Sequence, residues 1–119
     1  MRVFWVLSCV MMIASLVSAR DYHVAVHGND QDTGSSDQPF RTIAKAAATA
    51  QPGDVVTVHA GTYRERVTPP RGGTSDTERI VYRAAPGEKA ALKGSEVVTG
   101  WERIQGDTWK VTIPNDFFG

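Results

Sequence analysis

The chain has 119 residues, with 13 Lys and Arg against 13 Asp and Glu, so its formal net charge is +0. That balance argues against a general nucleic-acid binder, which carries a basic excess. A chain of this length holds one small domain with a limited core.

Residues 1–19 do not read as domain sequence. Arg2 forms a short positive region, an apolar run follows over 3–17, and Val17, Ser18 and Ala19 place small residues at a cleavage site. This is the pattern of a secretory signal peptide, and the run is short for a membrane span of about 20 residues. A lipoprotein reading through Cys9 fits less well, because the apolar run continues past it. Cleavage after Ala19 leaves residues 20–119. The single cysteine, Cys9, departs with the leader, so no disulfide closes the mature chain. The expected location is secreted or periplasmic, with no membrane contact once the leader is removed.

The mature chain opens with alternation over 22–26, which predicts a strand with Tyr22, Val24 and Val26 on one face. A polar loop rich in Gly, Asn, Asp and Ser follows over 27–38. Residues 39–51 predict a helix. Phe40, Ile43, Ala44, Ala47 and Ala50 share one face of a period of about 3.6 residues, and Pro39 suits the first turn. Pro52 and Gly53 stop it. The helix reads as a lid over the open end of something larger.

Beyond Asp54 the period changes from helical to two. Strands are predicted over 55–59, 63–67, 79–83 and 90–94, separated by Gly- and Pro-containing turns, with a loop over 69–76. Val55 and Ile80 stand one solenoid repeat apart, within the usual range of roughly 20–45 residues. Together these features predict a mainly β right-handed parallel β-helix, pectate-lyase-like, with an N-terminal capping helix over the first of two coils. From residue 97 the character shifts to a strand pair over 97–104 and 108–113, joined across Gly106. The division is 1–19 leader, 20–96 cap and first coils, and 97–119 the start of a β-rich flanking region. Solenoids need several coils and caps at both ends, so the chain reads as cut short and is expected to fold poorly alone.

The residues also resemble a known family. Asp21 to Ala25, Gly28-Asn29-Asp30, Pro39 to Ile43, Gln51 to Val56 and His59 to Glu65 are similar to the opening of many secreted right-handed β-helix enzymes. Lys93 to Glu96, Trp101 to Trp109 and Ile113 to Gly119 resemble glycoside hydrolase family 120, whose characterised members are β-xylosidases. Asp116 departs from that pattern, where a small Ser is expected. The resemblance implies a retaining hydrolase with an Asp nucleophile and a Glu acid/base, both beyond Gly119, so no catalytic residue is assigned to this chain. It implies an oligo- or polysaccharide partner of xylan type and no cofactor.

The site candidates are therefore sparse. A retaining glycosidase needs two carboxyls roughly 5 Å apart with different proton affinities. Glu65, Asp76, Glu78, Glu88, Glu96, Glu102 and Asp107 all sit among charged or turn residues, where a solvated structural role is expected. Asp30 and Asp32 are the candidate metal ligands, in a stretch similar to an acidic calcium loop but without its closing Glu. His23, His27 and His59 are too dispersed to predict a cluster. Trp101 and Trp109 are the candidates for stacking on sugar, though a Trp pair on adjacent strands more often closes a small core. Two alternatives stand beside the glycosidase: a β-helix polysaccharide lyase acting on uronic-acid polymers, and a non-catalytic carbohydrate-binding or structural piece.

Overall fold

The computed structural model describes residues 18–117. The leader expected over 1–19 thus lies almost wholly outside the described residues, among which no helix is long and apolar enough to cross a membrane. The elements run β1 (Asp21–Val24), α1 (Ile43–Thr49), β2 (Val55–Val58), β3 (Gly61–Arg64), β4 (Val81–Ala84), β5 (Ala90–Lys93), β6 (Glu102–Gln105) and β7 (Thr108–Lys110).

Two sheets are built in parallel. One has the order β1-β2-β4, with Asp21 beside Val55 and Val55 beside Val81. The other pairs β3 with β5, Gly61 beside Ala90 and Arg64 beside Lys93. From β2 onward, each coil lays one strand on each sheet, which is the construction of a parallel β-helix. The coil from Val55 closes at Val81, one position later than Ile80.

The helix is placed differently from expectation. β1 is already the first rung of the three-stranded sheet, so α1 lies in the crossover between β1 and β2 and packs on both. There are thus three stacked rungs where the sequence suggested two coils. The helix is also shorter than 39–51. Phe40 forms a parallel bridge with Val24, and its extended backbone keeps this stretch out of the helix. Thr42, extended at φ −118° and ψ 144°, accepts a hydrogen bond from Lys45 N–H and starts the helix after itself. Because the helix begins later, its buried face carries Ile43, Ala46 and Ala47, while Ala44 is exposed.

Strand alternation sets the interior. Tyr22, Val24, Val56, Val58 and Tyr63 point into the core with Phe40, Ile43, Ala46 and Ala50. Val24 and Val56 are completely buried, each such side chain stabilising by about 1.5–3 kcal/mol. The Tyr22 and Phe40 rings lie 5.9 Å apart. Val26, predicted to share this face, is 48% exposed instead. The chain turns after Val24, where Ala25 N–H bonds to Phe40 O and Gly28 N–H to Ala25 O, so the alternation is broken before Val26.

Other boundaries shift for similar reasons. The strand predicted over 63–67 begins at Gly61, because it pairs with Ala90 from that point. The strand predicted over 79–83 runs over Val81–Ala84, set by register with β2. The C-terminal pair is a small antiparallel hairpin whose turn is Gly106 and Asp107, with an irregularity between Arg103 and Gln105. The pairing covers Glu102–Gln105 and Thr108–Lys110, shorter than the 97–113 span.

Beyond the third rung the interior is open. Tyr82 and Leu92 are 39% and 55% exposed. Ile43, Val58, Tyr63, Val67, Tyr82 and Leu92 line an apolar opening of about 360 Å³.

Candidate functional site

The alternation that buries Tyr22, Val24, Val56 and Val58 turns Asp21, His23, Thr57 and Arg83 to the outer face of the same sheet. Register then brings residues far apart in sequence side by side. Thr57 Oγ1 donates to Asp21 Oδ1 at 2.7 Å and accepts from Arg83 Nε at 3.2 Å. Arg83 Nη2 lies 3.1 Å from Asp21 Oδ2. Each of the three rungs contributes one member.

Next to this ladder stand the histidines. His23 Nδ1 and His59 Nε2 are 2.9 Å apart, and His59 Nδ1 is 3.2 Å from Glu88 Oε1. The ring centroids are 5.2 Å apart and the planes 22° from parallel. Centroids so far apart, with nitrogens in hydrogen-bond contact, mean rings that meet edge to edge rather than face to face. His23 and His59, too dispersed along the chain to suggest a metal cluster, are nonetheless joined to each other by β1–β2 register. Glu88 Oε2 also accepts from Ala60 N–H at 2.6 Å. That bond, then the bond to His59, holds the Glu88 carboxyl below the usual carboxylate range. His27, Ser36, Pro39, His59 and Glu88 line a cleft of about 340 Å³ at this edge.

Most of the remaining carboxylates have structural partners. Glu65, read as a solvated rim residue, instead accepts from Ile43 N–H and Ala44 N–H at 2.9 Å each, capping the free donors of α1 from another coil. Asp30 Oδ1 accepts from Arg41 and Thr42 N–H at 2.9 Å each, and Oδ2 from Thr42 Oγ1–H at 2.8 Å. The candidate Asp30 therefore faces backbone donors, while Asp32 lies in the neighbouring turn. Among the described residues no three His, Cys, Asp or Glu are gathered so as to hold a metal ion. Asp76 pairs with Arg79 at 2.6 Å, Glu78 accepts from Thr74 Oγ1, Glu102 lies 3.6 Å from Lys110, and Asp107 3.9 Å from Arg103. Glu96 lines a broad surface hollow with Glu65, Lys93 and Phe117.

One buried acid escaped the sequence reading. Asp54 is 2% exposed and accepts from Arg20 N–H at 2.9 Å and Gln51 N–H at 2.8 Å, closing the turn into β2. The Pro-Gly-Asp turn preceding a valine run was its available signal. Tyr63 is buried and donates toward His59 O at 2.9 Å and Val24 O at 3.3 Å. Burial, then the charges of Glu88 and Glu65, push its hydroxyl pKa up, so it remains neutral.

Trp101 and Trp109 are 53% and 54% exposed, which corrects the expectation of a small aromatic core. β6 and β7 pack chiefly on each other and Trp101 stands just before β6, so among the described residues no layer covers the two indoles. Trp101 Nε1 donates to Val98 O at 3.1 Å.

Stacked parallel rungs, an apolar interior and a polar laddered exterior define a parallel β-helix protein. The family of Pel9A-like right-handed β-helix regions matches residues 22–113, and the chain belongs to it. A solved structure of XylC in complex with xylose is 49% identical, with a TM-score of 0.79 over 83% of this chain and 16% of that one. A glycoside hydrolase structure is 23% identical (TM-score 0.61, 76% of this chain and 17% of that one), and a rhamnogalacturonan lyase 24% identical (TM-score 0.50, 62% and 21%). These last two share the fold. The uncharacterized protein YwoF of Bacillus subtilis (strain 168) is 36% identical over 78 residues, 65% of this chain and 16% of its own. The chain thus spans about a sixth of the length of XylC and of YwoF.

Proposed function

We propose that this chain is the capped N-terminal part of an exported carbohydrate-active β-helix enzyme, a retaining glycoside hydrolase of β-xylosidase type. The observation that carries this reading is the 49% identity and close superposition over 83% of the chain with XylC, a protein solved with xylose bound. The residues agree with it. The carboxylates at the cap and hairpin hold backbone donors or ion pairs, so this part supplies scaffold, and the catalytic Asp and Glu are contributed by residues beyond Gly119. The exposed indoles of Trp101 and Trp109 offer apolar faces for a sugar ring in the flanking region that begins near residue 97.

The test is a polypeptide that begins with these residues and continues through further coils, assayed on aryl β-xylosides, xylo-oligosaccharides and uronic-acid oligomers. Release of xylose with retained anomeric configuration is expected, and the 119-residue chain alone is expected to be inactive. Unsaturated products from uronic-acid oligomers would replace this reading with a polysaccharide lyase. Glycan binding without turnover would replace it with a binding module.

A further inference from the structure

The contacts around His59 fix where protons reside. Glu88 is an acceptor, held as carboxylate by Ala60 N–H, and its Oε1 faces His59 Nδ1. His59 must therefore carry its proton on Nδ1, which leaves Nε2 as a bare acceptor when the ring is neutral. The 2.9 Å contact from Nε2 to His23 Nδ1 then requires the proton of His23 on Nδ1. Both rings are thus held in the Nδ1–H form, each by the next member of the chain of contacts.

Such a pair tolerates one added proton but not two. The first can enter at His23 Nε2, which faces away from His59, and the Nδ1–H bond to His59 survives with a stronger donor. A second proton must take His59 Nε2, the atom that accepts that bond. Two N–H groups then face one another across 2.9 Å, and two like charges occupy adjoining rings. The Glu88 carboxylate offsets part of the charge repulsion but not the opposed N–H groups. Glu88 faces His59 from the turn after β4, His27 shares its cleft, and Asp21 beside His23 is already paired with Arg83 of β4.

We infer that His23, His59 and Glu88 form a proton-gated clasp across the three stacked coils, closed with one added proton or none and opened by the second. His23 lies on the first rung, His59 follows the second and Glu88 follows the third. Acidification therefore loosens the joint between the first two rungs at the capped end of the solenoid. The inference uses only this cluster and is independent of the catalytic reading.

The experiment is long-range proton–nitrogen NMR of the imidazoles in the full chain, followed from about pH 8 to about pH 4, which spans histidine protonation. At the neutral end the Nδ1–H form is expected on both His23 and His59. On acidification the contact between the two rings is expected to survive the first added proton and to be lost with the second. His59→Gln is expected to merge the response of His23 into one step. Nε2–H forms on both rings of the unsubstituted chain would overturn the clasp without any variant. So would a single-step response of His23 identical in the unsubstituted and His59→Gln chains.

Discussion

At the scale of the residue, the structure rests on polar side chains that reach across coils. Glu65 carries two of the first free N–H groups of α1, and Asp30 carries the pair just before them. Glu65→Ala leaves Ile43 and Ala44 N–H without protein partners and is expected to lower stability by about 1–3 kcal/mol. Glu65→Gln should lie between, since one oxygen remains. Urea titration of the three proteins checks the order. Glu88 has a pH signature of its own. Its carboxyl is depressed, first by Ala60 N–H and then by His59, so its contribution is complete above the ordinary carboxylate range. It is lost as the pH falls through the depressed value. Glu88→Gln should therefore lower stability at neutral and alkaline pH and change little below the depressed value, which flattens the acid limb, as urea midpoints across the pH range would reveal.

At the scale of the element, the sequence disclosed which elements exist better than where they stop. The valine run of β2 and the Pro-Gly stop before it are local signals, and both were readable. The start of α1 was not, because Phe40 has helical spacing but its backbone bridges to Val24. The position of α1 inside the β1–β2 crossover likewise depends on β1 pairing with β2, which no local window contains. The His23–His59 and Glu65–α1 contacts are equally invisible, since each joins residues brought together by coil register alone. β3 illustrates how tight that register is. Gly61 has φ +153°, and a Cβ there would fall 2.5 Å from Val26 Cγ1. Gly61→Ala is expected to cost about 1–3 kcal/mol through the clash. Adding Val26→Ala should recover part of it, because Val26 is half exposed and its truncation removes the obstacle. Thermal unfolding of the single and double variants gives the coupling directly.

At the scale of the whole molecule, the two ends of the β-helix differ. α1 and its carboxylate partners close one end, whereas the third rung presents Tyr82 and Leu92 to solvent. An apolar face of this kind is where the next coil of a β-helix stacks. The backbone points the same way. Val81 N–H bonds back to Asp54 O and Ala85 N–H to Val58 O. Alternation along a parallel strand then turns Tyr82 and Ala84 N–H toward the open edge. The most direct test of these residues as the opening of a longer β-helix is amide hydrogen exchange at Tyr82 and Ala84. It should be measured in the 119-residue chain and in a polypeptide continued through further coils. Fast exchange in the shorter chain and strong protection in the longer one is the expected result. Equal exchange in the two would contradict the stacking of a further coil on β4, and with it the enzyme-scale reading of this chain.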